Sequence, residues 1–185
     1  MRGCGTCTLC CKVLGIEALK KPPGRWCERC KVGGGCSKYE ARPAECRSFV
    51  CGFLTLPALD ENWRPSASKL VIGFEGGTKT MLIQVDPDRP DAWKRAPYYQ
   101  QLKEWSRRAV AGRAQVIVMI GLRAIVILPD KDVDLGPIGD DEMIVTEETR
   151  TARGIQLNAV KLKRQDPRAA QLMPSEQRPG IALNR

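Results

Sequence analysis

The sequence predicts an α+β fold in which an N-terminal cysteine-rich module is attached to a small, mostly antiparallel sheet with one main helix. Three observations support this prediction. All nine cysteines of the 185-residue chain lie between Cys4 and Cys51. Hydrophobic residues make up 43% of the chain, which is enough to form a buried core. Residues 69–163 then contain apolar runs that are typical of strands and one set of apolar residues at helical spacing.

Four parts follow one another along the chain. They are the cysteine module (residues 1–55), a connection across the surface (56–68), an α+β core (69–163) and a flexible basic tail (164–185). The module carries few large apolar side chains, so we expect it to need a metal or disulfides in order to fold. Prolines among polar residues are the reason to expect a loose tail.

The core begins with a predicted hairpin and a helix. Residues 69–74 and 80–85 are rich in strand-forming side chains and flank a turn that contains two consecutive glycines. A helix is predicted over residues 98–111, because Pro97 stands near its first turn and Gly112 follows its end.

An apolar stripe marks the buried face of this helix. Tyr98, Leu102, Trp105 and Ala109 are spaced by four, three and four residues, which places them on one side. A stripe of this kind is far more often core packing than a cofactor site. We therefore expect Trp105 to be buried against the sheet.

The remaining apolar runs predict further strands. Residues 116–128 are nearly continuously apolar, but the run is too short to cross a bilayer and contains Arg123. Its β-branched content and Gly121 favour two buried strands joined by a tight turn. Residues 143–146 and 155–162 are predicted to supply additional strands.

The cysteine spacing is typical of a metal site. The chain opens with C-x-x-C-x-x-C-C, and a two-residue gap lets both sulfurs of a pair approach one ion. Adjacent side chains diverge, so Cys10 and Cys11 are predicted to serve different metals, unless one is not a ligand. The candidate metal ligands are all nine cysteines: Cys4, Cys7, Cys10, Cys11, Cys27, Cys30, Cys36, Cys46 and Cys51.

Disulfides and plain buried thiols are the alternatives to metal ligation. No apolar run of signal-peptide length follows Met1, so we expect a cytoplasmic protein in which disulfides do not persist. The chain contains no histidine, so the metal would have mainly thiolate ligands. Such ligands favour zinc or iron, including an iron–sulfur cluster, over magnesium or calcium. Nine thiols would fill two four-ligand sites with one left over.

The same residues resemble a known family. The opening octet is followed by Cys36, then by a Tyr-x-x-Arg-Pro segment that starts at Tyr39, then by the pair Cys46-Arg47. This order is similar to the CxxCxxCC, or YkgJ-type, family of zinc- or iron-chelating cysteine clusters. The resemblance covers the first third of the chain and implies metal chelation.

Two arginines of this pattern have two interpretations. Arg42 and Arg47 can donate to ligating sulfurs and so offset their negative charge. They can equally be ordinary solvated residues. Pro43 would stiffen the turn between Cys36 and Cys46, and Tyr39 is expected to pack beside the cluster.

Two further functions remain open. Flagellin lysine N-methylase carries a related cluster, so the resemblance also implies, as an alternative, an iron–sulfur-dependent methyltransferase acting on protein lysines. The sequence contains no Gly-rich loop for S-adenosylmethionine, and its catalytic residues are unknown. The third interpretation is an adaptor whose basic C-terminal end, net +6 over residues 150–185, binds an acidic protein.

Three other features of the sequence give little or no support for a function. The overall charge of +9 argues only weakly for nucleic acid, because thiolates would cancel much of the positive charge near the cysteines. Cys27-x-x-Cys30 follows a tryptophan as in thioredoxins but lacks the strand–helix setting of that motif. Asp130, Asp132 and Asp134 imitate a calcium loop but lack its glycine, so a solvated acidic loop is predicted.

Overall fold

The predicted fold class is confirmed. The structure, a computed structural model, describes residues 2–75, 80–152 and 154–168. It combines short helices in the cysteine module with a five-stranded, mostly antiparallel sheet and one long helix. Among these residues, no helix is long and apolar enough to cross a membrane.

The cysteine module is built from very short elements. They are α1 (Cys10–Val13), β1 (Cys30–Lys31), β2 (Gly35–Cys36), α2 (Ala44–Ser48) and α3 (Gly52–Thr55). Strands β1 and β2 pair with each other in antiparallel fashion. A further short helix, α4 (Pro65–Ser68), leads into the sheet.

The main sheet follows the chain order of its strands. Those strands are β3 (Leu70–Glu75), β4 (Thr80–Val85), β5 (Val116–Ile120), β6 (Arg123–Ile127) and β7 (Asp132–Pro137). All neighbours are antiparallel except β4 and β5, which are parallel. A parallel pair needs a long crossover, and α5 (Tyr98–Ala111) lies within it. Strand β3 is one edge of the sheet.

One face of the sheet packs against α5. Alternate residues of the strands point to this side, among them Leu70, Ile72 and Ile83, and they meet Leu102 of the helix. Trp105 packs on the same core, as predicted, but it is half-buried and not buried.

Two separate parts of the chain pack on the opposite face of the sheet. A long hairpin of β8 (Glu142–Thr151) and β9 (Gly154–Lys163) packs over strands β5 and β6, where Ala159 meets Ile117 and Val126. The cysteine module covers the β3 end of the same face through Leu9 and Val13, which pack on Val71.

Most predicted elements are confirmed. The helix has the predicted bounds, the run over residues 116–128 is two strands, and the strand predictions for residues 69–74, 80–85, 143–146 and 155–162 are met by β3, β4, β8 and β9. The part of the basic tail from residue 169 onward lies outside the described residues.

Two sequence-based predictions are met only in part. The connection over residues 56–68 is largely exposed, but it is not only a surface segment, because Leu59 and Trp63 are buried in the main core. Of the three residues predicted to form a solvated acidic loop, only Asp130 lies outside a strand. Asp132 and Asp134 lie on β7, where Lys103 pairs with Asp132 at 2.7 Å and Arg123 with Asp134 at 2.5 Å.

Close backbone packing joins the module to the edge strand. A Cβ added at Gly52 would lie 2.7 Å from Ile72 Cγ2, so only glycine lets α3 approach β3 this closely. Phe53, the next residue, enters the core on the α5 side of the sheet. The module therefore shares its core with the sheet.

Candidate metal centre

Four cysteines form a first group around one small pocket. Cys4, Cys7, Cys10 and Cys51 line it together with Phe53, Leu54, Arg64, Pro65 and Val71. Its volume is about 20 Å³, room for roughly one water-sized object. We call these four cysteines the first thiol group. Three come from the opening octet, and Cys51 comes from the residue before α3.

Local backbone geometry brings the first three of these cysteines to the pocket. The N–H of Cys7 donates to the carbonyl of Cys4 at 3.0 Å, which closes the two-residue gap into a turn. Gly5 occupies that turn at φ +55°, a conformation that favours glycine. Cys10 then begins α1, one helical turn further on.

Cys51 is held differently, by the edge of the sheet. Its sulfur accepts hydrogen bonds from the backbone N–H groups of Phe53 and Ile72. Burial nevertheless raises the pKa of the Cys51 thiol, and the neighbouring Cys7 and Cys4 raise it as well. Two backbone donors aimed at one sulfur suit an anionic thiolate, so this site favours charge on Cys51 once a cation offsets the burial.

The other five cysteines form a second thiol group. They are Cys11, Cys27, Cys30, Cys36 and Cys46. The N–H of Cys27 donates to the carbonyl of Cys11 at 3.0 Å, and Cys30 lies directly opposite Cys36 across β1 and β2. Cys46, on α2, interacts electrostatically with Cys11, Cys27 and Cys36.

A half-buried cation, Lys21, lies beside the second thiol group. The ammonium of Lys21 donates to the carbonyls of Lys12 at 3.0 Å and Pro22 at 3.1 Å, and also to that of Leu14. Burial lowers the pKa of Lys21, whereas Cys27, Cys11, Cys46 and Cys10 act in the opposite direction. The lysine thus places a positive charge among these sulfurs.

Protonation within the second thiol group follows burial and hydrogen bonding. Burial raises the pKa of Cys30 to about 11, and the side chain of Thr8 opposes this by hydrogen bonding to the sulfur. The Thr8 hydroxyl also accepts the N–H of Gly33 at 3.2 Å, so it ties α1 to the turn between β1 and β2. Burial likewise raises the pKa of Cys46.

Cys10 and Cys11 join the two groups. The Cys11 thiol donates to the Cys10 sulfur, which lowers the pKa of Cys10 and raises that of Cys11. Cys10 interacts with Cys7, Cys4 and Cys51, whereas Cys11 interacts with Cys30. Neighbouring residues therefore interact with different groups, although their two side chains do not diverge but contact each other.

The sulfurs do not stand in the geometry of a finished metal site. Across residues 2–75, 80–152 and 154–168, no three or more Cys, Asp or Glu side chains are arranged so that they could hold a metal ion. All nine cysteines are free thiols. The contact between Cys10 and Cys11 turns each sulfur partly toward the other group, so ligation would require rotation about the side-chain bonds.

The two arginines of the family-like pattern differ in their surroundings. The Nε of Arg42 donates to the carbonyl of Tyr39 at 2.9 Å, and its guanidinium stacks 3.5 Å from the centre of that ring. Arg47 is exposed on α2. The arginine that does line a thiol group is Arg64, which the sequence reading missed because it lies 13 positions beyond the last cysteine.

Comparison with known proteins adds no assignment. No family model, no curated protein and no solved structure matches this chain.

Proposed function

We propose that this protein binds two metal ions, zinc or iron, through its two thiol groups, with iron–sulfur clusters included among the iron forms. The observation that carries the proposal is the first thiol group, whose four cysteines line one small pocket. Four thiolates are the ligand set of a closed structural zinc site and of common iron–sulfur clusters.

The surroundings of the sulfurs support this proposal. Backbone N–H groups point at Cys51, and Lys21 and Arg64 interact with the second and first thiol groups. Donors and cations around thiolates are the usual outer partners of a metal site, because they stabilise concentrated negative charge. Nine free thiols also fit a reducing compartment, so the proposal includes a cytoplasmic location.

The proposed role of the ions is structural. Elements of two to five residues hold the module together, and the sulfurs of Cys51 and Cys4 come from opposite ends of it. A bound ion would cross-link these ends. The alternative of a lysine methyltransferase-like enzyme remains a sequence-based prediction, and no feature described above favours it.

Anaerobic purification with elemental analysis tests the proposal. We expect about two zinc ions per chain in a colourless protein, or iron with sulfide in a brown one, each site taking four thiolates. Replacing Cys51 with Ser should remove the metal of the first thiol group, and replacing Cys30 with Ser that of the second. Ser37→Ala is the matched control, because Ser37 lies in the module without contributing sulfur. Metal-free protein whose thiols all react freely would refute the proposal.

A further inference from the structure

We propose that Arg64 is a positioning residue for the first thiol group. Its guanidinium fastens the loop that carries Cys4 and Cys7 and places a permanent positive charge beside their sulfurs. This inference rests on the proposed function, since it assigns a role in metal retention to a residue outside the cysteine module.

The guanidinium group of Arg64 makes three contacts. Nη1 donates to the carbonyl of Gly3 at 3.2 Å, and Nε donates to Glu61 Oε2 at 2.8 Å. The guanidinium carbon lies 4.9 Å from the centre of the Phe53 ring. The side chain is 31% exposed, so it forms a wall of the pocket and is not a free surface group.

The loop that Arg64 fastens is otherwise exposed. Residues 3–6 are exposed, and the turn they form is closed by the hydrogen bond from Cys7 to Cys4 within the loop itself. The bond to Gly3 spans 61 positions and ties this loop to the segment in front of α4. Losing it would free Cys4 and Cys7 to move away from Cys51.

Phe53 is the platform for this arrangement. Arg2 stacks on the same ring at 5.1 Å and donates to the carbonyls of Phe53 and Leu56 at 3.3 and 3.2 Å. Two arginines therefore hold residues 2 and 3 against a ring that is itself buried in the main core. The loop is positioned relative to the sheet, where Cys51 also lies.

The charge of Arg64 has a separate effect. Four thiolates around a divalent ion leave a net charge of about −2, which costs energy near apolar walls such as Leu54 and Val71. A guanidinium remains protonated at any working pH. Cys7 and Cys4 interact electrostatically with Arg64, so its charge opposes that surplus where it arises.

Metal release from the loaded protein tests the assignment. With an excess of chelator, the wild type should release its ions in two phases, and the phase missing from Cys51→Ser identifies the first thiol group. Arg64→Met should speed that phase by about 10-fold or more, the usual effect of removing an outer partner of a metal ligand. The other phase should keep its rate. Arg64→Lys keeps the positive charge but loses the several N–H donors of the guanidinium, so its release rate should lie between those of the wild type and Arg64→Met.

Arg108→Met is the matched control, because Arg108 pairs with Glu104 at 3.3 Å on α5 but does not line the pocket. It should leave both phases unchanged.

An Arg64→Met protein that releases both ions at wild-type rates would overturn the inference. Equal acceleration of both phases would also overturn it, because that result indicates only a weakened fold. If Arg64→Lys behaves like Arg64→Met, the electrostatic part is wrong. Failure of the wild type to hold about two ions would overturn the proposed function itself, and the inference with it.

Discussion

A buried ion pair between the cysteine module and the sheet makes a quantitative prediction. Lys12, on α1, has a side chain only 6% exposed, and its ammonium contacts Asp86 at 2.6 Å and Asp88 at 2.5 Å just beyond β4. The two carboxylates differ sharply in burial, at 11% exposed for Asp86 and 77% for Asp88. Two similar contacts should therefore have very different energetic weight.

The magnitudes follow from this difference. Asp86→Asn would leave the buried Lys12 ammonium paired only with the exposed carboxylate of Asp88, and the loss should approach the 3–5 kcal/mol typical of breaking a buried pair, at about 2–4 kcal/mol. Asp88→Asn removes a contact that water screens, which costs about 0–1 kcal/mol. Against a total stability of about 5–15 kcal/mol, the loss from the first substitution is a large fraction and the loss from the second is small.

Urea denaturation of the two variants beside the wild type checks this prediction. Lys12→Met combined with Asp86→Leu should recover most of the loss, because apolar residues of similar volume often replace a buried pair without penalty. Equal losses for Asp86→Asn and Asp88→Asn would refute the argument, since burial would then not set the strength of the contact.

The same pair has a pH dependence whose sign can be worked out. Burial lowers the pKa of Lys12, but the hydrogen bonds to Asp86 and Asp88 outweigh it, so its pKa is raised. A lysine with a raised pKa contributes stability that is fully present below the pKa of the unfolded chain, about 10.4. That contribution is lost as pH rises through the folded value. Lys12→Met should therefore lose less stability than the wild type between neutral and strongly alkaline pH.

Two further predictions concern the junction and the metal. Gly52→Ala should cost about 1–3 kcal/mol in urea denaturation, because the added Cβ would overlap Ile72, whereas Gly3→Ala, with open space around it, should be neutral. Stabilisation of that size by Gly52→Ala would contradict the packing argument. If the proposed ions hold the module together, chelating them should abolish hydrogen-exchange protection in residues 4–51 and leave β4, β5 and β6 protected. Unchanged protection of residues 4–51 would mean that no ion holds the module together.

The sheet and its helix could be predicted from sequence because their patterns are local. The helix Tyr98–Ala111 has its apolar stripe, its early proline and its closing glycine within one short segment. The run over residues 116–128 carries its own turn at Gly121, so two strands could be distinguished from one helix. Each of these features depends on neighbours a few residues away.

The parts that were missed depend on contacts between distant residues. Arg64 reaches the first thiol group through a bond to Gly3, and the burial of Trp63 comes from packing on Tyr98 and Trp105 at 4.8 and 4.9 Å. No spacing rule relates such positions. The assignment of Cys51 to the first group, with Cys11 left to the second, likewise depends on how α3 lies against β3.

The hydrogen bond from the Ile72 N–H to the Cys51 sulfur also bears on how the chain is made. The N–H groups along the free side of an edge strand can recruit a strand from another chain; β3 is an edge strand, and the Ile72 N–H on its outer side is taken up by Cys51. Synthesis proceeds from the N-terminus, so Cys51 leaves the ribosome before Leu70–Glu75 does. The residue that takes up the Ile72 N–H is therefore made before the strand that carries this group, so the partner for this part of the edge is already present in the chain when β3 emerges.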